Sequence, residues 1–203
     1  MKFFLCLTAV SLSFFCSAQD QILKMSGHTI TGEIVEITDF QVICEIQKKN
    51  GKTKRIIFPR SDVFSVTKDG QEEDIFYQQD SFIGDDYTVQ EMQIYIAGEQ
   101  DALNGYDPSP TKYVGLLIGA GAGVASQGGL LLPIGVPLAY TFSQLAPAIK
   151  IREETISNIN HKYNDIYAAG YASVARSKKV LAGLKGSALG ALIGVIFYFL
   201  IPE

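Results

Sequence analysis

The chain has 203 residues, 47% of them hydrophobic, with a formal net charge of −4. That length fits one or two small domains, although the apolar residues are massed in three blocks instead of being spread evenly. An acidic balance without clustered Lys and Arg excludes nucleic acid as a partner, because phosphate backbones are held by basic side chains.

The first block is an N-terminal leader. Lys2 precedes an apolar stretch over 3–15, and Cys16-Ser17-Ala18 before Gln19 supplies small residues at both positions a leader peptidase inspects, so residues 1–18 read as a signal peptide cleaved after Ala18. Lipidation at Cys16 is the weaker alternative, since Phe14 and Phe15 stand where small residues are required. A retained anchor is the other alternative. Cleavage removes Cys6 and Cys16 and leaves Cys44 alone, so no disulfide framework is expected. Cys44 alternates with Val42 and Ile46 and reads as a small buried hydrophobe.

Residues 19–80 carry the near-two apolar period of a half-buried sheet. Strands are predicted over 21–25, 29–37, 41–47, 53–58 and 63–68. Asn50-Gly51 marks a tight hairpin and Lys68-Asp69-Gly70 a further turn. Ile30, Gly32, Ile34, Ile37, Val42, Cys44, Ile46, Ile57, Val63 and Val66 form the expected core. Five short strands in so small a span predict an SH3-like or Sm-like barrel, an architecture that protects its sheet edges.

Residues 81–111 form an acidic connector with a juxtamembrane helix. From Asp69 to Asp101 the acids are opposed by no Lys or Arg, which reads as a solvated spacer. The spacing lacks the fixed glycine and terminal Glu of a calcium loop, so no metal is expected. Thr88 is placed to cap a helix ending near Leu103, with Asn104-Gly105 as its stop and Met92, Tyr95, Ile96 and Leu103 as its apolar side. This helix is expected against the membrane or the barrel.

Residues 113–149 contain no formally charged side chain, more than the roughly 20 residues a spanning helix needs. The first membrane segment is therefore assigned to 112–149, bent or re-entrant at its end because of Pro133, Pro137 and Pro147. A second crossing within it is left open. Residues 150–179 read as an amphipathic basic connector helix, and 180–203 as a second transmembrane helix in which Lys185 snorkels. The excess of Lys and Arg in the connector favours the cytoplasmic side, giving an outside, in, outside topology with the N-terminal domain in the periplasm.

Gly115, Gly119 and Gly123 recur every four residues, as do Gly186, Gly190 and Gly194. Such glycine zippers let helix backbones approach closely in lipid, so these six residues are the expected helix-packing sites, within the chain or between copies in a homo-oligomer. A weak internal repeat accompanies them, with residues 94–98 ahead of the first zipper and 166–170 ahead of the second.

Gly27-His28-Thr29-Ile30-Thr31-Gly32, Asp62-Val63, Gly98-Glu99-Gln100-Asp101-Ala102, Gly170-Tyr171 and Lys178-Lys179 together resemble a pattern in uncharacterised envelope proteins of bacteroidetes, with a small β-barrel-like module and a C-terminal glycine-rich membrane hairpin. The resemblance implies a membrane-associated protein and supplies no catalytic residues.

No other chemistry is called for. The glycines over 118–123 lack the third glycine and the following acid of a dinucleotide turn. His28 and His161 lack ligand-spaced companions. The expected class is thus an α+β membrane protein with amphipathic helices and a glycine-zipper transmembrane helical hairpin, without catalytic residues or cofactors. Its partners are membrane lipid and an envelope protein, which makes it a binding or scaffold protein in the inner membrane. The alternative is an accessory subunit of a transport or channel complex.

Overall fold

Alternating apolar residues build a six-stranded antiparallel sheet: β1 (Asp20–Lys24), β2 (Thr29–Ile37), β3 (Gln41–Gln47), β4 (Thr53–Pro59), β5 (Val63–Thr67) and β6 (Asp74–Ile75), in the order β4-β3-β2-β1-β5-β6. The structure, a computed structural model, describes residues 19–48, 50–82, 84–126 and 129–200. The leader, its cleavage site, Cys6 and Cys16 lie outside the described residues. The chain divides into two units at Val89/Gln90.

In the first unit β2 serves two neighbours. Its first half pairs with β1 (Asp20↔Gly32 to Leu23↔Thr29) and its second half with β3 (Glu33↔Glu45 to Ile37↔Val42), with a bulge between Ile34 and Glu36. A strand that bends at a bulge in this way turns a flat sheet into a curved one. Gly32 occupies the joint because a Cβ there would lie 2.6 Å from the Glu45 carbonyl oxygen and 2.7 Å from Cys44 Sγ. The Asp20 carboxylate ties the joint to the far turn by accepting the Ile34 N–H at 2.7 Å and the Asp69 N–H at 3.0 Å.

Both anticipated turns form. Gly51 adopts φ 75°, and Asp69 and Gly70 adopt φ 45° and 70° as the Gln71 N–H closes on the Lys68 carbonyl, the conformation of a tight turn with two positive-φ residues. Ile22, Ile34, Val42, Cys44, Phe58, Val63 and Val66 form the core. Ile57 is a correction to the expected core. Pairing of Val42 with Phe58 and of Cys44 with Ile56 turns those residues inward. Ile57, one position out of phase, is 56% exposed. The two-residue β6 was not anticipated.

The second unit holds α1 (Val89–Gly105), α2 (Ser109–Val124), α3 (Leu131–Ser143) and α4 (Asp165–Leu200). Asp107 accepts the Ser109 N–H at the start of α2, and Pro110 sits in its first turn, where a missing donor is harmless. Three expectations are corrected. First, residues 150–164 contain two 3-10 turns, Glu153–Thr155 and Ile159–His161, and no amphipathic helix. Second, α4 runs unbroken for 36 residues through the expected boundary at 179/180. Third, the glycine-bearing helices are not consecutive arms of a hairpin, because α3 lies between them in the chain and supplies the return pass.

The joint at Gly32 yields a test. Gly32→Val places branched carbons against backbone in a filled space, which costs on the order of 1–3 kcal/mol. Hydrogen exchange on the full chain should show loss of protection across β1–β3 with α2–α4 unchanged. Undiminished protection there would contradict the packing described.

Candidate functional site

The second unit is organised by glycine meeting carbonyl. A Cβ on Gly115, Gly119 or Gly123 would lie 3.0, 2.0 or 2.4 Å from the carbonyl oxygens of Gly183, Ser187 and Ala191; one on Gly186, Gly190 or Gly194 would lie 2.1, 2.0 or 2.2 Å from those of Lys112, Leu116 and Ala120. Each glycine faces the carbonyl three residues before its counterpart on the other helix. Residue numbers therefore rise together along both helices, and α2 and α4 run parallel. Backbones this close bring Cα–H groups onto carbonyl oxygens, a weak contact repeated along the interface.

The same rule holds outside these six glycines. A Cβ on Gly98 of α1 would meet the Tyr167 carbonyl oxygen at 2.3 Å, and one on Gly170 of α4 would meet that of Tyr95 at 2.1 Å. The internal repeat read from sequence thus packs against itself, residues 94–98 on 166–170. Helix α3 packs across α2 and α4 in the opposite sense: Tyr140 donates to the Thr111 carbonyl at 2.9 Å, and Pro133, Ile134 and Pro137 share a groove with Leu192, Val195 and Ile196. Small residues fill the interior, with Gly115, Gly119, Gly186, Ser187 and Gly190 buried. The large apolar side chains point outward, among them Leu117, Leu131, Phe142, Leu192 and Phe199. Among the described residues, α4 is the one helix long and apolar enough to cross a membrane.

Below the first glycine crossing lies a buried polar cluster that sequence reasoning missed. Asp101, read as part of a solvated spacer, is instead 7% exposed. Its carboxylate accepts the Ser157 N–H at 2.9 Å, the Ser157 hydroxyl, and the Tyr167 hydroxyl at 2.6 Å. Thr155 Oγ1 and the Tyr171 hydroxyl share a hydrogen at 3.0 Å. Lys178 Nζ donates to the carbonyls of Ala102, Leu103 and Tyr106 at 3.1, 2.8 and 3.1 Å, neutralising the negative end of α1. Burial and then the bond to Asp101 hold the Tyr167 phenol far above its ordinary range, so it remains a donor. The cluster fastens α1 and residues 153–164 to the first half of α4. The basic stretch therefore lies beside α1, not one crossing away from it.

Glu99 departs from the solvated reading more sharply. It is 6% exposed, Oε2 has no hydrogen-bond partner among the described residues, and burial pushes its pKa from 4.5 to about 7. Helical spacing held the signal, since 92, 96 and 99 fall on one face with Met92 and Ile96. Elsewhere Cys44 is fully buried, and burial, followed by Asp20, Glu33 and Glu45, raises its thiol. It is placed as core, where its raised pKa keeps it a thiol and not the reactive thiolate. His161 packs against Tyr167 with ring centroids 5.7 Å apart and the rings tilted by 54°. No group of three or more His, Cys, Asp or Glu that could hold a metal occurs among the described residues.

No protein-family model, curated protein or solved structure matches the chain.

The burial of Glu99 sets a pH dependence. Between about pH 4.5 and about pH 7 the unfolded chain loses this proton while the folded one keeps it, so stability falls across that window and the penalty is complete above it. Glu99→Met removes the ionisable group at similar length. The variant should unfold at higher denaturant than the parent above pH 7, and the two should converge below pH 4.5. A variant no more stable than the parent at alkaline pH would contradict the buried, unpartnered placement.

Proposed function

We propose that this chain is a membrane-anchored envelope protein that binds or scaffolds a protein partner and catalyses no reaction. The inverted packing of α2–α4 carries the reading. Small residues fill the inside and large apolar ones cover the outside. In water such a belt exceeds the few hundred Å² of apolar patch that soluble monomers expose. In hydrocarbon it is a solvated surface, and the glycine contacts supply the association that hydrophobicity cannot supply there.

In this arrangement the uncharged end of α4 crosses the bilayer. Helices α2 and α3, about 24 and 20 Å long at 1.5 Å per residue, form a re-entrant pair beside it. Lys112, Arg176, Lys179 and Lys185 collar the end at which α2 begins. The expected leader directs the residues after it out of the cytoplasm, and no apolar stretch of spanning length lies between residues 19 and 108. The collar is therefore assigned to the outer, periplasmic side of the inner membrane. Its basic charge opposes that side, but the first apolar segment usually dominates orientation.

The sheet unit is proposed as an SH3-like barrel and the recognition element. Its support is the bend of β2 between two neighbours, the return of β5 to β1, and the exposure of Phe40 (86%) and Phe82 (102%), aromatics of the kind that anchor interfaces.

Full-length protein purified from its native membrane should carry a protein partner, and Phe40→Ser combined with Phe82→Ser should lose it while the chain still floats with membranes. A partner retained by the double variant would overturn recognition by the sheet. Recovery of the parent chain in the soluble fraction would overturn the membrane reading.

A further inference from the structure

Where α4 passes from its polar half into its uncharged half, a groove of about 750 Å³ opens on its outer face, lined at one end by Ser173, Arg176 and Ser177 and at the other by Leu181, Leu184 and Leu145. That volume lies within the roughly 300–1,000 Å³ of small-molecule sites. The two ends differ in chemistry along one direction. From Arg176 to Leu184 the helix rises about 12 Å, so a charged head and an apolar tail can be held at once.

Arg176 is exposed and makes no ion pair among the described residues. Helix α4 holds no acid after Asp165, and Lys178 is already engaged by three carbonyls. A guanidinium without a counter-ion, set between hydroxyls and above leucines, matches a phosphate attached to an acyl chain. We propose that this groove binds one phospholipid of net negative headgroup, with its phosphate on Arg176 beside Ser173 and its acyl chain along Leu181, Leu184 and Leu145. The site rests on the membrane reading above. A zwitterionic lipid fits less well, because its own cation neutralises the phosphate and Arg176 then gains nothing over water.

The test uses the full chain in nanodiscs of mixed phosphatidylglycerol and phosphatidylcholine, released into mild detergent, with the retained lipids counted by native mass spectrometry. The parent should retain phosphatidylglycerol over phosphatidylcholine. Arg176→Gln should lower that retention about fivefold, the effect expected of one basic residue at an anionic surface, while Lys112→Gln, at the start of α2, should leave it unchanged. Equal retention of the two lipids by the parent would overturn the site. So would an equal loss in both variants, which marks general surface charge. A chain that enters the discs without preference overturns this site alone, whereas a chain that never enters them overturns the membrane reading and the site with it.

Discussion

The approach of glycine Cα to a facing carbonyl is the constraint on which the helical unit depends. Side chains of any size at Gly119 or Gly190 would meet backbone oxygen at 2.0 Å, and backbone, unlike the end of a flexible side chain, cannot step aside. Because each glycine sits opposite the carbonyl three residues before its counterpart, one spacing fixes both the distance and the direction of the pair. Helices α2 and α4 must run parallel, and the chain needs α3 to bring it back. The outward display of leucine and phenylalanine follows, since an interior lined by small residues has no room for them.

That spacing extends beyond the uncharged segments. Gly98 and Gly170 repeat it where α1 crosses α4, which makes the 36-residue α4 a spine carrying two successive partners. The polar cluster then secures the crossing. Asp101 is satisfied by three donors and Lys178 closes the end of α1, so breaking either would leave buried polar groups unpaired at a cost of about 1–3 kcal/mol. Gly98, Asp101, Ala102, Gly170, Tyr171 and Lys178, scattered in sequence over a repeat, an acidic spacer and a basic connector, converge on this one place. Glu99 is the exception to the satisfied arrangement, its ionisation opposed by burial.

Local chemistry was legible in the sequence and long-range chemistry was not. The strands of the sheet unit follow the period-two pattern to within a residue or so at each end, and the turns at Gly51 and Gly70 follow from tolerance of positive φ. At Ile57 the pattern misleads because Ile56, Ile57 and Phe58 are all apolar, and only pairing with β3 decides which of them faces in. The glycine spacing was visible, but a sequence cannot distinguish parallel from antiparallel packing. Length and proline argued against one straight helix over 112–149, and the segment does divide into α2 and α3, although the division falls between Val124 and Leu131, ahead of the prolines, and Pro137 is absorbed within α3. Asp101 and Glu99 read as solvated because their neighbours in sequence are acidic, whereas their neighbours in space are Tyr167, Ser157 and the face shared with Met92 and Ile96.

Parallel pairing of α2 and α4 is the central claim, and pulsed electron–electron spin resonance tests it most directly. Spin labels would be placed pairwise at Tyr113, Val124, Lys185 and Ile196 of the full chain in a Cys6→Ser, Cys16→Ser and Cys44→Ser background. Parallel helices predict short distances for 113–185 and 124–196, and distances longer by up to about 16 Å, the rise of eleven residues, for 113–196 and 124–185. Short distances for the crossed pairs instead would show an antiparallel hairpin and contradict the glycine-to-carbonyl register from which the rest of the unit is built.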